Sequence, residues 1–262
     1  MESRTLIELK NINFIRENKY ILSSIHFSIS ENDNCVILGK NGSGKTSLIN
    51  IIYGYMWPSS GEVIVLGKKF GEHPIRDVQK SIGILQSGHQ EDRIQRNLTV
   101  RDILATGLMN SIGYYGSLNS KQESIVDAAI KENLWITNPE QLYSTLSSGE
   151  KKKLLLLRAL ISHPEILILD EPCSSLDLSS REDFFNLLIK YNSMQKFTCI
   201  LITHRTDEIP EYFNKALLLK EGKVVDFGDI KRVFNNRALS EVYGIDIELV
   251  QSNGQYLTLV KR

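Results

Sequence analysis

The stretch Gly39-Lys40-Asn41-Gly42-Ser43-Gly44-Lys45-Thr46 constrains this chain more than any other. It follows the apolar run Cys35-Val36-Ile37-Leu38 and precedes Ser47-Leu48-Ile49-Asn50-Ile51-Ile52, so its glycines fall at a strand-to-helix turn. Gly39, Gly42 and Gly44 can take backbone conformations that other residues resist. They let successive N–H groups converge on an anion at a helix N-terminus, where the peptide dipoles leave partial positive charge. Lys45 supplies a point charge for β- and γ-phosphates, and Thr46 offers a hydroxyl to Mg²⁺, an ion that keeps most of its own water. The predicted ligand of Gly39 to Ser47 is a Mg-nucleoside triphosphate.

Length and composition narrow the setting. A chain of 262 residues has the natural size of a single α/β domain with an insertion. Lys+Arg and Asp+Glu balance at 31 each, so no net field points to nucleic acid or to an anionic membrane. Cys35 and Cys199 lie in apolar runs and Cys173 follows a proline, which suits reduced thiols serving as small core residues. Met1-Glu2-Ser3-Arg4 lacks a signal pattern, and no apolar stretch approaches the ~20 residues of a membrane span. A membrane role is therefore expected to come through a partner.

Taken in order, Ile7 to Phe14 and Ile21 to Ser30 alternate apolar and polar residues and predict two antiparallel strands, joined by a turn at Arg16-Glu17-Asn18-Lys19. A third strand ends at Leu38, and a helix follows the glycine loop to Tyr53, where Gly54 stops it. A strand at Val63 to Leu66, a helix led by Pro74 and a strand from Ile82 that ends on Gln86 come next. Between about 87 and 157 strand signals vanish and a helical insertion is expected. Thr99 caps a helix through Thr106 there, and Ser120 caps Lys121 to Asn133, with polar or aromatic connectors at Gly88 to Leu98 and Gly107 to Leu118. Lys151 to Ile161 reads as a helix whose Lys151-Lys152-Lys153 run is a solvated face. Ile166 to Leu169 and Thr198 to Thr203 read as central strands covered on both faces, separated by a helix from Ser179 to Tyr191. A strand at Ala216 to Leu219, a turn at Glu221-Gly222 and a hairpin turning at Asn253-Gly254 complete the chain, residues 229–262 forming a C-terminal extension.

Strands linked by helices predict a mostly parallel sheet that binds its ligand beyond the strands' carboxyl ends, and Gly39, Gln86, Asp170 and His204 each fall at such an end. Asp170 is placed to make a second Mg²⁺ contact and Glu171 to polarise an attacking water.

From Ile7 to Gly228 the chain resembles the nucleotide-binding subunit of ABC transporters. The matching segments are the Walker A loop Gly39 to Thr46, Gln86 as Q-loop, the signature Leu146-Ser147-Ser148-Gly149-Glu150, Walker B Ile166 to Glu171, the D-loop Ser174-Ser175-Leu176-Asp177, and His204 as switch histidine. The resemblance implies a phosphate-loop NTPase fold with an N-terminal antiparallel β subdomain and an inserted helical subdomain, all within one ABC ATPase domain spanning 1–262. It implies ATP as substrate, Mg²⁺ as cofactor held by Thr46, Gln86 and Asp170, and two copies bound head to tail, a homodimer. Ser147 and Gly149 of one copy would then close over the γ-phosphate held by Lys45 of the other, with Asp177 also at the nucleotide. Glu171 would act as base, His204 would hold the γ-phosphate, and Gln86 would link the metal to a transmembrane permease, placing the chain on the cytoplasmic face of the membrane. Segment Arg205 to Pro210 also resembles bacterial ABC ATPases grouped near the molybdate-transport ATPases, and names no substrate.

Three positions depart from the pattern. Ser148 replaces a glycine, and its Cβ is expected to restrict a close backbone approach. Glu150 stands where a glutamine is frequent and occurs also in non-transport members, so a soluble ABC ATPase acting as a conformational switch, for example in cofactor assembly, is the alternative reading. The adenine-stacking aromatic falls at Arg16, whose guanidinium can stack on a base, with Phe14 and Tyr20 nearby.

Overall fold

The computed structural model describes residues 3–86, 97–109, 117–252 and 254–261, and the chain forms two compact units. The first comprises residues 1–79, 168–171 and 197–262. The second comprises 80–167 and 172–196.

In the first unit the period-two alternation folds as expected. Strands β1 (Thr5–Arg16) and β2 (Lys19–Ser30) pair antiparallel and bury Ile7, Leu9 and Ile12 against the same core as Leu22, Ile25 and Ile29. Glu17 and Asn18 form the turn at φ 50° and 59°, the left-handed geometry that a two-residue hairpin needs. Strand β4 (Ser60–Val65) pairs with the other side of β1, and the short β5 (Lys68–Lys69) follows. Leu66, expected to end β4, lies at φ 53° in the connecting turn.

The second sheet of this unit orders its strands β10-β9-β3-β8, followed by residues Ile168 to Asp170 of β7. β3 (Cys35–Leu38) runs parallel to β8 (Thr198–Thr203) and to β9 (Lys215–Lys220), and β10 (Lys223–Asp229) returns antiparallel along β9. Every residue of β3, β7 (Ile166–Asp170) and β8 is buried, as their unbroken apolar runs require. Helix α1 (Lys45–Tyr53) starts after Gly44 and stops where Gly54, at φ 83°, donates to the Asn50 and Ile51 carbonyls. Helix α2 (Ile75–Gln79) opens after Pro74.

The second unit is mostly helical. It contains β6 (Ile82–Gln86) and helices α3 (Val100–Met109), α4 (Ser120–Glu132), α5 (Ser148–Leu160) and α6 (Leu178–Gln195). Thr99 caps α3 as expected: its Oγ1 accepts from the Asp102 N–H at 3.1 Å while the Asp102 carboxylate accepts from the Thr99 N–H at 2.9 Å. The helix continues past Thr106 through Gly107, which the sequence assigns to a connector. A side chain at Gly107 would strike the Arg158 carbonyl, so this glycine serves a close helix approach and not a loop. The cap of α4 is Asn119, one residue before the expected Ser120, because Asn119 has a Gln122 at the right distance to bond back to its N–H at 3.0 Å. The lysine run is not a solvated face. Lys152 is buried, while Lys151 lies over the Tyr143 ring at 5.6 Å and Lys153 over Trp135 at 4.9 Å. The expected connectors at 88–96 and 110–116 lie outside the described residues.

The C-terminal extension belongs to the first unit and holds α7 (Ile230–Val233), α8 (Asn236–Tyr243) and the hairpin β11 (Ile247–Ser252) and β12 (Gln255–Val260). Its turn contains Gly254 at φ 76°, and Asn253 lies outside the described residues. All three cysteines are free and buried. Among the described residues no helix is long and apolar enough to cross a membrane.

Candidate active site

The glycine loop leaves the carboxyl end of β3 and is packed tightly enough to explain its composition. A Cβ on Gly39 would strike the Leu219 carbonyl of β9 and lie 2.6 Å from Ser43 Oγ. Gly44, at φ 103°, would place a Cβ 2.8 Å from Leu22 Cδ2 and 3.0 Å from the Ile21 carbonyl of β2. The loop is tied to the β9–β10 turn by the Gly222 N–H, which donates to the Ser43 carbonyl at 2.9 Å. None of this is visible in the motif itself, since Leu22, Leu219 and Gly222 are distant in sequence.

Two features of the loop fit an anionic ligand. No side chain caps α1, so the first-turn N–H groups that a helix cannot satisfy internally have no side-chain acceptor. The Ser43 hydroxyl is buried without a hydrogen-bond partner, a state that costs about 1–3 kcal/mol and that a phosphate oxygen would relieve.

Lys45 folds back over this cradle. Its ammonium donates to the Gly39 carbonyl at 2.7 Å and to the Lys40 carbonyl at 3.0 Å, and the residue is only 5% exposed. Burial pulls its pKa below the ordinary lysine range, and the carboxylates of Glu171 and Asp170 oppose that shift. The cation is thus held by two neutral carbonyls, weaker partners than a phosphate. Thr46 and Lys40 are exposed and Ser47 half-buried.

Asp170, 9% exposed, ends β7. Glu171 then takes φ 48°, a left-handed conformation unusual for a non-glycine residue, while its N–H still donates to the Ile202 carbonyl of β8 at 3.0 Å. The chain therefore turns without releasing the neighbouring strand. The consequence is a contact at 3.2 Å between Glu171 Oε1 and Nδ1 of His204, the residue that follows β8. Strain of this kind, about 1–3 kcal/mol, concentrates at functional sites.

Of the sequence-predicted residues, the first unit brings together Gly39 to Ser47, Asp170, Glu171 and His204. Arg16 also lies in it, at the end of β1, with its side chain exposed and 3.9 Å from Glu17. Tyr20, on the facing strand, is 64% exposed.

Gln86, Ser147, Gly149 and Asp177 belong to the second unit. Gln86 is the last residue of β6 and is buried. Ser147 is the N-cap of α5. Its N–H and its hydroxyl each donate to Glu150 Oε2 at 2.8 Å, and its Oγ accepts from the Glu150 N–H at 3.3 Å. Those two donors, the N–H foremost, hold the Glu150 carboxyl below its ordinary pKa. Glu150 is therefore half of a capping box, a signal present in the sequence as Ser-x-x-Glu. Ser148 is exposed at the first helical position of α5, a conformation any residue adopts, so its Cβ strains nothing in this chain. Gly149 is buried, and a Cβ there would lie 2.9 Å from Ser180 Oγ. Asp177 caps α6 by accepting from the Ser180 N–H at 2.7 Å.

A phosphate loop at the end of a buried parallel strand, with a buried lysine over it and an Asp-Glu pair ending a strand of the same sheet, defines a phosphate-loop nucleotide-binding protein. Residues 22–174 match the ABC transporter family. The chain is 36% identical over 256 residues to the ABC transporter ATP-binding protein YmeB of Lactococcus lactis, covering 97% of this chain and 98% of that protein. It is 27% identical over 223 residues to the zinc uptake system ATP-binding protein ZurA of Listeria monocytogenes, covering 85% and 86%. Among solved structures, cbiO1 from Clostridium perfringens, part of the ABC transporter complex cbiONQ, matches with a TM-score of 0.76 at 26% identity, covering 92% of this chain and 94% of that one. This chain belongs to the ABC transporter family, as an ATP-binding subunit with the ABC ATPase fold.

Proposed function

We propose that the chain hydrolyses ATP with Mg²⁺ as one of two copies meeting head to tail, and drives a transmembrane permease from the cytoplasmic face of a membrane. The observation that carries the hydrolytic part is the Glu171–His204 contact at 3.2 Å, in the same unit as the buried Lys45. In this reading the main chain of Gly39 to Ser47 cradles the phosphates and Lys45 exchanges its two carbonyl partners for β- and γ-phosphate oxygens. Thr46 and Asp170 would hold Mg²⁺, with Gln86 assigned to it by resemblance. The ion would neutralise charge that builds on the phosphate oxygens.

Glu171 orients and deprotonates the attacking water. His204 presents its other nitrogen, Nε2, to the γ-phosphate, because Nδ1 faces Glu171; that nitrogen donates while Nδ1 also donates when the ring carries both protons. Little covalent work falls to the protein, so these groups act by position and charge. Ser147 and Gly149 of the second copy complete the γ-phosphate site and Asp177 lines it, while Arg16 stacks on adenine.

Glu171→Gln keeps the size of the side chain and a hydrogen bond to His204 but removes the base. ATP hydrolysis should fall at least ~100-fold, the worth of a general base, with ATP binding retained. Hydrolysis by that variant at the wild-type rate would show that Glu171 is not the base. Co-purification with a multi-span permease tests the transport assignment.

A further inference from the structure

We infer that Tyr243, in the C-terminal extension, is a positioning residue for His204: its hydroxyl donates to the His204 backbone carbonyl at 2.9 Å and fixes the peptide that carries the imidazole. The inference rests on the assignment of His204 to the γ-phosphate made above. Tyr243 lies well beyond residues 22–174, the part of the chain that matches the family.

The segment after β8 is organised at three levels. Locally, the Thr203 hydroxyl donates to the buried Glu208 carboxylate at 2.6 Å and accepts from the Arg205 N–H at 3.1 Å. The Arg205 guanidinium in turn holds Asp207 through two bonds, at 3.1 and 2.8 Å. The Thr203–Arg205 bond holds the N–H end of the 204–205 peptide from within the loop, and the carbonyl end is tied from outside it. That tie comes from α8, whose Ala238, Leu239 and Val242 are buried and whose last residue is Tyr243, followed by Gly244 at φ 67°. A second strut runs from β12, where Thr258 Oγ1 lies 3.3 Å from Thr206 Oγ1.

The imidazole is therefore constrained at both ends. Glu171 holds Nδ1, and Tyr243 holds the carbonyl from which the side chain's direction follows. Burial and the carboxylates of Asp207 and Glu208 push the Tyr243 hydroxyl up to about 12, so it stays protonated and remains a donor at working pH. Without that donor the 204–205 peptide is held at its N–H end alone, by Thr203, and Nε2 loses part of the fixed position that transition-state contact requires. Ground-state ATP binding, which rests on the phosphate loop, is not affected.

The test is a double-mutant cycle on the full chain with Tyr243→Phe and His204→Ala, and Tyr256→Phe as a control. Tyr256 belongs to the same extension, with its ring packed on Phe234 at 5.0 Å. Tyr243→Phe should lower kcat about fivefold, the factor a single neutral hydrogen bond supplies, with KM for ATP unchanged. In the His204→Ala background it should add nothing, and Tyr256→Phe should leave kcat unchanged. Wild-type kcat in Tyr243→Phe alongside a crippled His204→Ala overturns the inference alone. An equal loss in both backgrounds, or in Tyr256→Phe, also overturns it, because the extension then acts through general stability. A wild-type kcat in His204→Ala instead overturns the underlying assignment of His204.

Discussion

Lys45→Met should raise the melting temperature of the nucleotide-free protein while abolishing hydrolysis. Lys45 is 5% exposed, and its ammonium makes two hydrogen bonds to carbonyls. Each such charge-assisted bond contributes about 1.5–3 kcal/mol, and withdrawing an ammonium from water costs several kcal/mol. The direction of the Lys45 pKa decides between them. It lies below the ordinary range with burial as the largest cause, so the folded site holds the charged form less well than water does. The unfolded chain therefore binds this proton more tightly. The charge costs stability at every pH below the depressed folded value, and that cost disappears as pH rises from there toward ~10.4.

A methionine of similar length fills the same space without that cost, offset in part by the stranded Gly39 and Lys40 carbonyls. A net gain of about 1 kcal/mol corresponds to a rise of about 2–4 °C for a chain of this size. With ATP at a hundred times Kd, the wild type gains about 2.7 kcal/mol and the variant almost none, so the order of the two melting curves inverts. Thermal denaturation with and without ATP, in EDTA, reads both effects. A nucleotide-free variant that melts several degrees below the wild type would refute the claim that burial outweighs the hydrogen bonds.

Two further outcomes concern the signature segment. Glu150→Ala removes the capping box on α5 and should cost about 1 kcal/mol in urea denaturation, whereas Glu150→Gln, which still accepts from the Ser147 N–H, should cost only a few tenths. Because the Glu150 carboxyl is held below its ordinary pKa, its contribution is present above that ordinary value and fades as pH falls through the folded one, so the difference between wild type and Glu150→Ala should narrow in acid. Ser147→Arg places a bulky cation at the proposed junction of two copies; it should leave ATP binding at Lys45 intact, block hydrolysis, and, in the Glu171→Gln background, prevent the ATP-dependent dimer that gel filtration is expected to detect in Glu171→Gln alone.

Local pattern carried most of the fold. Alternation placed β1 and β2, unbroken apolar runs placed β3, β7 and β8, and Gly54 marked the end of α1, because each of these depends on residues within one element. The misreadings depend on neighbours that sequence order does not supply. Gly107 looked like a loop residue because a glycine needed for contact with the Arg158 carbonyl is indistinguishable from one needed for a turn. Lys152 looked solvated because burial of its stem depends on what lies across from α5. Asn119 and Ser120 are both acceptable caps, and only the reach of Gln122 decides between them.

The site divides along the same line. The phosphate loop and the Asp170-Glu171 pair were legible as motifs, yet the left-handed turn of Glu171, its contact with His204 and the tie from Tyr243 are tertiary facts with no local signature. Glu150 shows the opposite failure: its capping pattern was written in the sequence, but comparison with a family pattern made it look like a departure. The structural reason for a carboxylate there has a chemical consequence. A carboxylate only accepts, so the Ser147 hydroxyl donates its proton to Glu150 in the single chain. If Ser147 is to donate to a γ-phosphate held by a second copy, that internal bond must break, and the carboxylate is left close to a developing negative charge. The same residue that stabilises the start of α5 therefore opposes closure of the proposed shared site, and a glutamine, neutral and able to donate, would oppose it less.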